Sequence, residues 1–464
     1  MPFDMLPDQD TIAAIATPIG QAGIGIIRMS GALCLAIARK IFRPKNSVSV
    51  FKSHRLYLGQ LYDPSSNEPI DEVLLTFMKA PRTYTREDVV EIHSHSGYLL
   101  LSKILDILLS QGARLASPGE FTLRAFLSGR IDLTQAEAVV DLINSRSERG
   151  LFLASQQVQG AFRDEIEGLR QKAIHILARA EAAIDFPEAE ADAGLREQGP
   201  EEIGNDLVTP IQTLIASSEG RIWVDGVCTV IAGRVNAGKS SLLNRLLNEQ
   251  RAIVTPIPGT TRDVIESSLI IDGIPLRLMD TAGFRSVSDE VERLGITLTR
   301  RKLNEADFVL IVIDRSRPLG KDDLDIIHQC QGKSALIVIN KIDLPARLHE
   351  GADVEALSRF PSVEISALTG QGLDQLKSAI KDAILGGGVD TTLSHAAPNA
   401  RHRHALGRAL LFFKEAALRI REDAPVEIVA LELTSGIEAL GEITGETSTE
   451  EVLDSIFSQF CLGK

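Results

Sequence analysis

The sequence predicts a multidomain α/β protein: a small α+β domain, an all-α helical domain assembled from two separated segments, and a doubly wound α/β domain inserted between them. Three observations carry this. The chain has 464 residues, beyond the ~250–300 at which a single core stops growing. Apolar β-branched runs alternate with helical stretches across the third quarter of the chain, in the rhythm of a parallel sheet. On both sides of that block, apolar residues recur at helical steps of three and four.

Composition is that of an ordinary soluble chain, 44% hydrophobic and 24% charged. No apolar run reaches the ~18 residues of a membrane span. The opening "MPFDMLPDQDTIAAIATPIG" lacks a basic stretch followed by an apolar one, so a cytoplasmic location without a membrane partner is expected. The formal charge of −14 argues against an extended basic face for non-specific nucleic-acid binding, though not against a local basic patch. Cys34, Cys228, Cys330 and Cys461 show no CxxC spacing and read as free thiols, mostly buried, rather than disulfides or zinc ligands.

Residues 1–125 contain strand-like pieces, "IAAIATP", "GIGIIRMSG", "EVLLTFMKAP" and "DVVEIHSHSG", followed by the helix "YLLLSKILDILLSQG". The glycines of "GQAGIGIIR" lack the GxGxxG order, so no dinucleotide site is expected there. His93 and His95 alternate along a strand with no evident carboxylate or thiol partner, which favours structural roles over metal binding. In residues 126–222, Val158, Phe162, Ile166, Leu169, Ala173, Leu177, Ala180 and Ile184 mark one face of a long helix stopping at Pro187. In residues 386–464, Leu406, Leu410, Phe413, Ala417 and Ile420 repeat that spacing. "STEEVLDSIFSQF" opens with Ser448 and Glu451 at capping-box spacing, and "RHRH" at 401–404 reads as the polar start of a helix. The two segments are expected to form one domain; two independent helical domains are the alternative.

Residues 223–385 carry the strands "CTVIAG", "LRLMD", "DFVLIVID", "ALIVIN" and "SVEISA". "GRVNAGKS" follows the first and precedes a helix, as a phosphate loop must. Backbone N–H groups from Gly233 through Asn236, Ala237, Gly238 and on to Ser241 would cradle phosphates, Lys239 would reach the β- and γ-phosphates, and Ser240 would ligate Mg²⁺. "NKID" supplies Asn340, Lys341 and Asp343. Asp343 can accept from the guanine N1–H and amine, which adenine does not offer, so GTP is favoured over ATP. Ser366, Ala367 and Leu368 would support the base. Asp280 ends a strand, as a Walker-B acid does, and Thr281, Ala282 and Gly283 follow towards the γ-phosphate. "VTPIPGTT" covers Thr255, Pro256, Ile257, Pro258, Gly259, Thr260 and Thr261, the switch region expected to complete the Mg²⁺ shell. Phe284 follows Gly283, and no glutamine stands nearby to orient a water. Asn236 with carbonyls of the switch could cage a monovalent cation in place of an arginine finger; stabilising the loop is the other role open to it.

Together, "GTTRD", "DTAGFR", "DEVERLGI", "PGEFTLRAFLSGRIDLTQAEAVVDLI", "EAAIDFPE", "YTREDVVEIHSHSG" and the terminal "FSQFCLGK" resemble the TrmE/MnmE family of tRNA-modifying GTPases over the whole chain. The resemblance implies a Ras-like G domain, a folate-binding N-terminal domain and a homodimer. Facing G domains would hold K⁺ on Asn236 and the carbonyls of Thr255, Ile257 and Thr260, and Mg²⁺ on Ser240 and Thr261. Glu292 would act on the attacking water through a bridging water. Arg28, Glu91, Arg130 and Lys464 would bind 5-formyl- or methylene-tetrahydrofolate, the cations meeting its glutamate and Glu91 its pterin. Arg130 falls where some members have lysine, and Ser96 takes a glycine slot of the more usual "HGG". The implied activity is K⁺-activated GTP hydrolysis that, in a heterotetramer with an FAD-dependent partner of the MnmG/GidA type, installs a carboxymethylaminomethyl-type group on wobble uridine of certain tRNAs. Cys461 is a candidate catalytic thiol, a buried thiol being the alternative. A regulatory GTPase switch, such as a ribosome-assembly factor, is the competing reading.

Overall fold

The computed structural model describes residues 10–18, 20, 22–186, 191–249, 267–279, 303, 305–348, 354–386 and 396–464. Among these, seven strands form the N-terminal sheet: β1 (Ile12–Ile15), β2 (Gly25–Ser30), β3 (Phe42–Pro44), β4 (Arg55–Tyr62), β5 (Pro69–Met78), β6 (Val89–Ser94) and β7 (Arg114–Leu115). Their order is β3-β4-β5-β6-β2-β1-β7, antiparallel throughout except where β7 runs parallel to β1. The helices Cys34–Ile41 and Tyr98–Ser110 contribute Ile37, Ile41, Leu101 and Ile104 to a core with Ile27, Met29, Leu75 and Ile92 of the strands. Sequence patterning anticipated four of these strands and the second helix, and missed the rest.

The helical part has one core fed from both segments. Phe162, Ile166, Leu169 and Ile176 of the helix Ala161–Asp185 pack in the same cluster as Leu406, Phe413, Leu433 and Leu440 of the helices Ala400–Arg421 and Val426–Thr444. A single all-α unit built from two segments is therefore what is seen. Its long helix is shorter than the periodicity predicts. Gly160 adopts φ 96, a left-handed conformation open to glycine, and separates the helix Glu148–Val158 from Ala161–Asp185. Val158 therefore belongs to the earlier helix. The predicted capping box is also absent: Thr449 is the N-cap of the helix Glu450–Phe457, and the buried Ser448 hydroxyl has no partner.

Between the segments lies a second sheet, β8 (Val227–Ala232), β9 (Ser267–Ile271), β10 (Ile274–Leu278), β11 (Phe308–Asp314), β12 (Ser334–Asn340) and β13 (Ser362–Glu364), in the order β13-β12-β11-β8-β10-β9. Every pairing is parallel except β9 with β10. Successive residues of β11 and β12 enter opposite cores: Leu310, Val312, Leu336 and Val338 one, Ile311, Ile313, Ile337 and Ile339 the other. That alternation buries both faces, as a doubly wound sheet requires. The strand expected over 276–280 is Ile274–Leu278, and Asp280 lies outside the described residues.

Candidate functional site

Because β8, β11, β12 and β13 run parallel, the loops at their carboxyl ends meet along one edge of the sheet, where doubly wound folds place ligands. The loop after β8 leads into the helix Lys239–Glu249, whose first N–H groups have no intrahelical partners and suit an anion. Gly233 (φ 151) and Gly238 (φ 100) shape this loop. A Cβ on Gly233 would stand 2.4 Å from the Val312 carbonyl, and one on Gly238 2.1 Å from the Asn340 amide. Lys239 donates to the Gly233 and Arg234 carbonyls at 2.7 and 2.8 Å, and burial lowers its ammonium below the ordinary lysine range. An arriving polyphosphate would give that ammonium a stronger set of oxygens.

Asn340 ties three loops together. Its amide donates to the Ala237 carbonyl at 3.0 Å and its side-chain carbonyl accepts from the Ala367 N–H at 3.0 Å, all of it buried. Ser366 donates to the Asp343 carboxylate at 2.5 Å; Asp343 is otherwise exposed, as is Leu368 beyond it. Lys341, at φ 67, bridges the Asn236 carbonyl at 2.8 Å and the Asp314 carboxylate at 2.7 Å. Asn236 has φ 63 and, like Ser240 and Ser241, is exposed. Such uncovered oxygens fit hard cations, which prefer oxygen ligands. Asp314 was not anticipated. Burial opposes its ionisation, but hydrogen bonds from Lys341 and Ser316 outweigh it and hold the carboxyl below its ordinary value. The sequence signal was present: like Asn340, it is the polar last letter of an apolar strand. Thr255, Pro256, Ile257, Pro258, Gly259, Thr260, Thr261, Asp280, Thr281, Ala282, Gly283, Phe284 and Glu292 lie outside the described residues.

A second constellation lies on the N-terminal sheet. Arg28 on β2 and Glu91 on β6 are paired in register and joined at 2.8 Å. Arg28 also approaches the Phe121 ring to 5.8 Å. The Phe121 N–H donates to the Lys464 carbonyl at 3.2 Å, and a Cβ on Gly463 (φ 92) would meet the Ile15 carbonyl at 2.4 Å. The last residues thus lie against β1 and bring Lys464 beside Arg28, where burial and the Arg28 charge lower its ammonium. Arg130 stacks 4.9 Å above the Tyr84 ring, and burial raises the Tyr84 hydroxyl. Cys461 is exposed, against the expectation of a buried thiol, whereas Cys34 and Cys330 are buried and pushed up by burial, Cys330 to about 11.

Both histidines have the carboxylate neighbours that the sequence concealed. His93 contacts Glu91 at 3.4 Å, and His95 contacts Asp71 across the sheet at 2.8 Å. Among the described residues no group of three or more His, Cys, Asp or Glu could hold a metal. "RHRH" is more than a polar helix start: Arg401 and the buried His402 both grip Glu137, at 2.7 Å each.

Comparison with known proteins covers both constellations. Residues 11–130 match the family described as the GTP-binding protein TrmE N-terminus, and residues 133–461 match the MnmE helical domain. The tRNA modification GTPase MnmE of Desulforamulus reducens is 44% identical, over 98% of this chain and 99% of its own. That of Geotalea uraniireducens is 46% identical over the same shares, as is that of Geobacter metallireducens.

Proposed function

The chain belongs to the MnmE family of tRNA modification GTPases, and on that premise we propose that it hydrolyses GTP to drive modification of wobble uridine in certain tRNAs. The observation that carries the nucleotide reading is the bridge made by Asn340. It leaves the phosphate-loop amides and the Asp343 carboxylate open at the same sheet edge, spaced by a buried, fully hydrogen-bonded frame.

Each candidate residue then has a task. Amides from Gly233 to Ser241 hold the phosphates, Lys239 neutralises the β- and γ-oxygens, and Asp343 reads guanine while Ser366 and Ala367 keep it in place. Lys341 fixes the backbone of Asn236 from behind, aiming its side chain outwards. Thr260, Thr261, Asp280 and Gly283 close the γ-phosphate side, and Glu292 positions the attacking water through a second water. When bound, Mg²⁺ on Ser240 and Thr261 and K⁺ on Asn236, Thr255, Ile257 and Thr260 offset charge on the phosphate oxygens, the work an arginine finger does elsewhere at about 10³–10⁵ in rate. A K⁺ held in part by the exposed Asn236 needs a cover, which facing G domains of a homodimer supply.

Arg28 and Glu91, being paired, act on the same end of a ligand. We assign that end to the pterin of a tetrahydrofolate, which moves Arg28 and the neighbouring Lys464 there from the glutamate, where the sequence reading puts all the cations, and leaves Arg130 towards the glutamate. The folate supplies a one-carbon unit to the uridine, an FAD-dependent partner completes the assembly, and exposed Cys461 stands close enough to Lys464 to take part. Domain limits near 125, 222 and 385 divide these tasks. GTP turnover at matched ionic strength in K⁺ and in Na⁺ tests the cation: K⁺ should accelerate it, and Asn236→Lys should abolish the difference while sparing nucleotide binding. Mass spectrometry of wobble uridine in tRNA from a deletion strain tests the function itself; a full complement of the modification there would refute it.

A further inference from the structure

Next to the folate constellation lies a cleft of about 450 Å³ to which Arg82, Arg86 and Arg130 all contribute, together with His54, Thr83 and Tyr84. None of its lining residues is acidic, in a chain of formal charge −14. The three arginines are exposed. Arg86 has φ 61, a backbone region that side chains other than Gly, Asn and Asp avoid. Its guanidinium is steered by one bond to the Ser128 carbonyl at 2.8 Å, and Arg130 is steered by the Tyr84 carbonyl at 3.2 Å. Strain of this kind persists where the surroundings impose it, and it concentrates at ligand sites.

We propose that this cleft binds a chain of carboxylates continuing from the folate, the γ-linked polyglutamyl tail, and so selects polyglutamylated over monoglutamyl folate. This rests on the folate reading above. Arg28 is engaged by Glu91 at the other end, so the cations left for the tail are Arg130 and the Arg82 and Arg86 that line the same cleft. Arginine forks match carboxylates two bonds at a time. A single-stranded RNA fits the cleft less well, because it needs uncovered aromatic faces for stacking, and of the two rings in the lining, His54 and Tyr84, the larger is already covered by Arg130.

Titration calorimetry of the full chain with mono- and pentaglutamyl 5-formyltetrahydrofolate tests this. Wild type should bind the pentaglutamate roughly tenfold tighter or more, as two or three exposed charge-assisted contacts imply. Arg82→Gln combined with Arg86→Gly, the latter relieving the backbone, should bring the two ligands within about twofold while leaving monoglutamate affinity unchanged. Equal affinities in wild type, or a preference that survives the double variant, overturn the subsite. Failure of wild type to bind even the monoglutamate overturns the folate reading instead. A variant that keeps the preference but loses affinity for tRNA assigns the cleft to RNA and overturns the proposal.

Discussion

At the scale of single residues, Asn340 concentrates the most consequence. Replacing it by alanine strips the Ala237 carbonyl and the Ala367 N–H of their partners in a buried setting, and each orphaned group costs about 1–3 kcal/mol. Asn340→Ala should therefore weaken guanine-nucleotide binding by roughly 30- to 10⁴-fold, at ~1.4 kcal/mol per tenfold, as read by titration with a fluorescent GDP. Affinity within threefold of wild type would contradict the bridge. Asn340→Asp keeps the acceptor for Ala367 but sets a buried carboxylate oxygen against the Ala237 carbonyl, so it should weaken binding at least as much as alanine. Asn340, Lys341 and Asp343 were legible from their spacing after an apolar strand. Asp314 was not, because an acid closing a strand is commonplace, and its role arises only when β11 and β12 pair Asp314 with Asn340. The same holds for His95, whose Asp71 partner is brought by β5.

At the scale of elements, the helix Leu133–Asn144 is pinned to the helix Ala400–Arg421 by buried charge. Burial raises the Glu137 carboxyl, but His402 and Arg401 outweigh it and hold it well below its ordinary 4.5. Burial likewise takes His402 below its ordinary 6.5, ahead of the opposing pull of Glu137. Both folded-state values are depressed, so both contributions to stability are present at neutral pH. The His402 contribution declines as pH falls below 6.5 and the Glu137 contribution below 4.5. Glu137→Gln should lower the thermal midpoint at pH 7 by the equivalent of about 3–5 kcal/mol, the cost of breaking one side of a buried pair, and flatten its fall below pH 4.5, while the His402 part of the fall below 6.5 stays or steepens because the upward pull of Glu137 is gone. A parallel acid profile in the variant would place the titration elsewhere. Nothing in "RHRH" or "QAEAVVDLI" shows that they meet, which is why "RHRH" reads from sequence as no more than a polar helix start. Strand β4 escaped for a different reason. Leu56 and Leu58 are exposed and Gly59 looks like a breaker, yet a Cβ there would come within 2.3 Å of the Arg43 carbonyl on β3. Ser448 and Glu451 illustrate the opposite error, where correct spacing lost to a helix that starts one residue later.

At the scale of the whole molecule, the described residues show a closely fitted seam between the nucleotide domain and the helical part. Ser147 donates to the Trp223 carbonyl at 2.7 Å across it, and on the helical side, just before the crossing, Arg221 makes two bonds to Asp141, at 2.6 and 2.8 Å. Leu153 of the helix Glu148–Val158 lies in the core of the nucleotide domain with Trp223 and Val224. A Cβ on Gly150 would come within 2.3 Å of the Trp223 carbonyl, so Gly150→Val should prise the seam open. GTP turnover and folate binding should stay within about threefold, because neither constellation touches the seam, while modified uridine in tRNA falls sharply in complemented cells. Unaltered modification would show that the seam transmits nothing. The helical core shared by residues 162–176 and 406–440 has a cost in time. A ribosome adds roughly 5–20 residues per second, so Phe162, Ile166 and Leu169 emerge some 10–50 s before Leu406 and Phe413 can cover them. For that interval half a core stands open to water, an exposure that favours aggregation and that lasts as long as the inserted domain takes to be made.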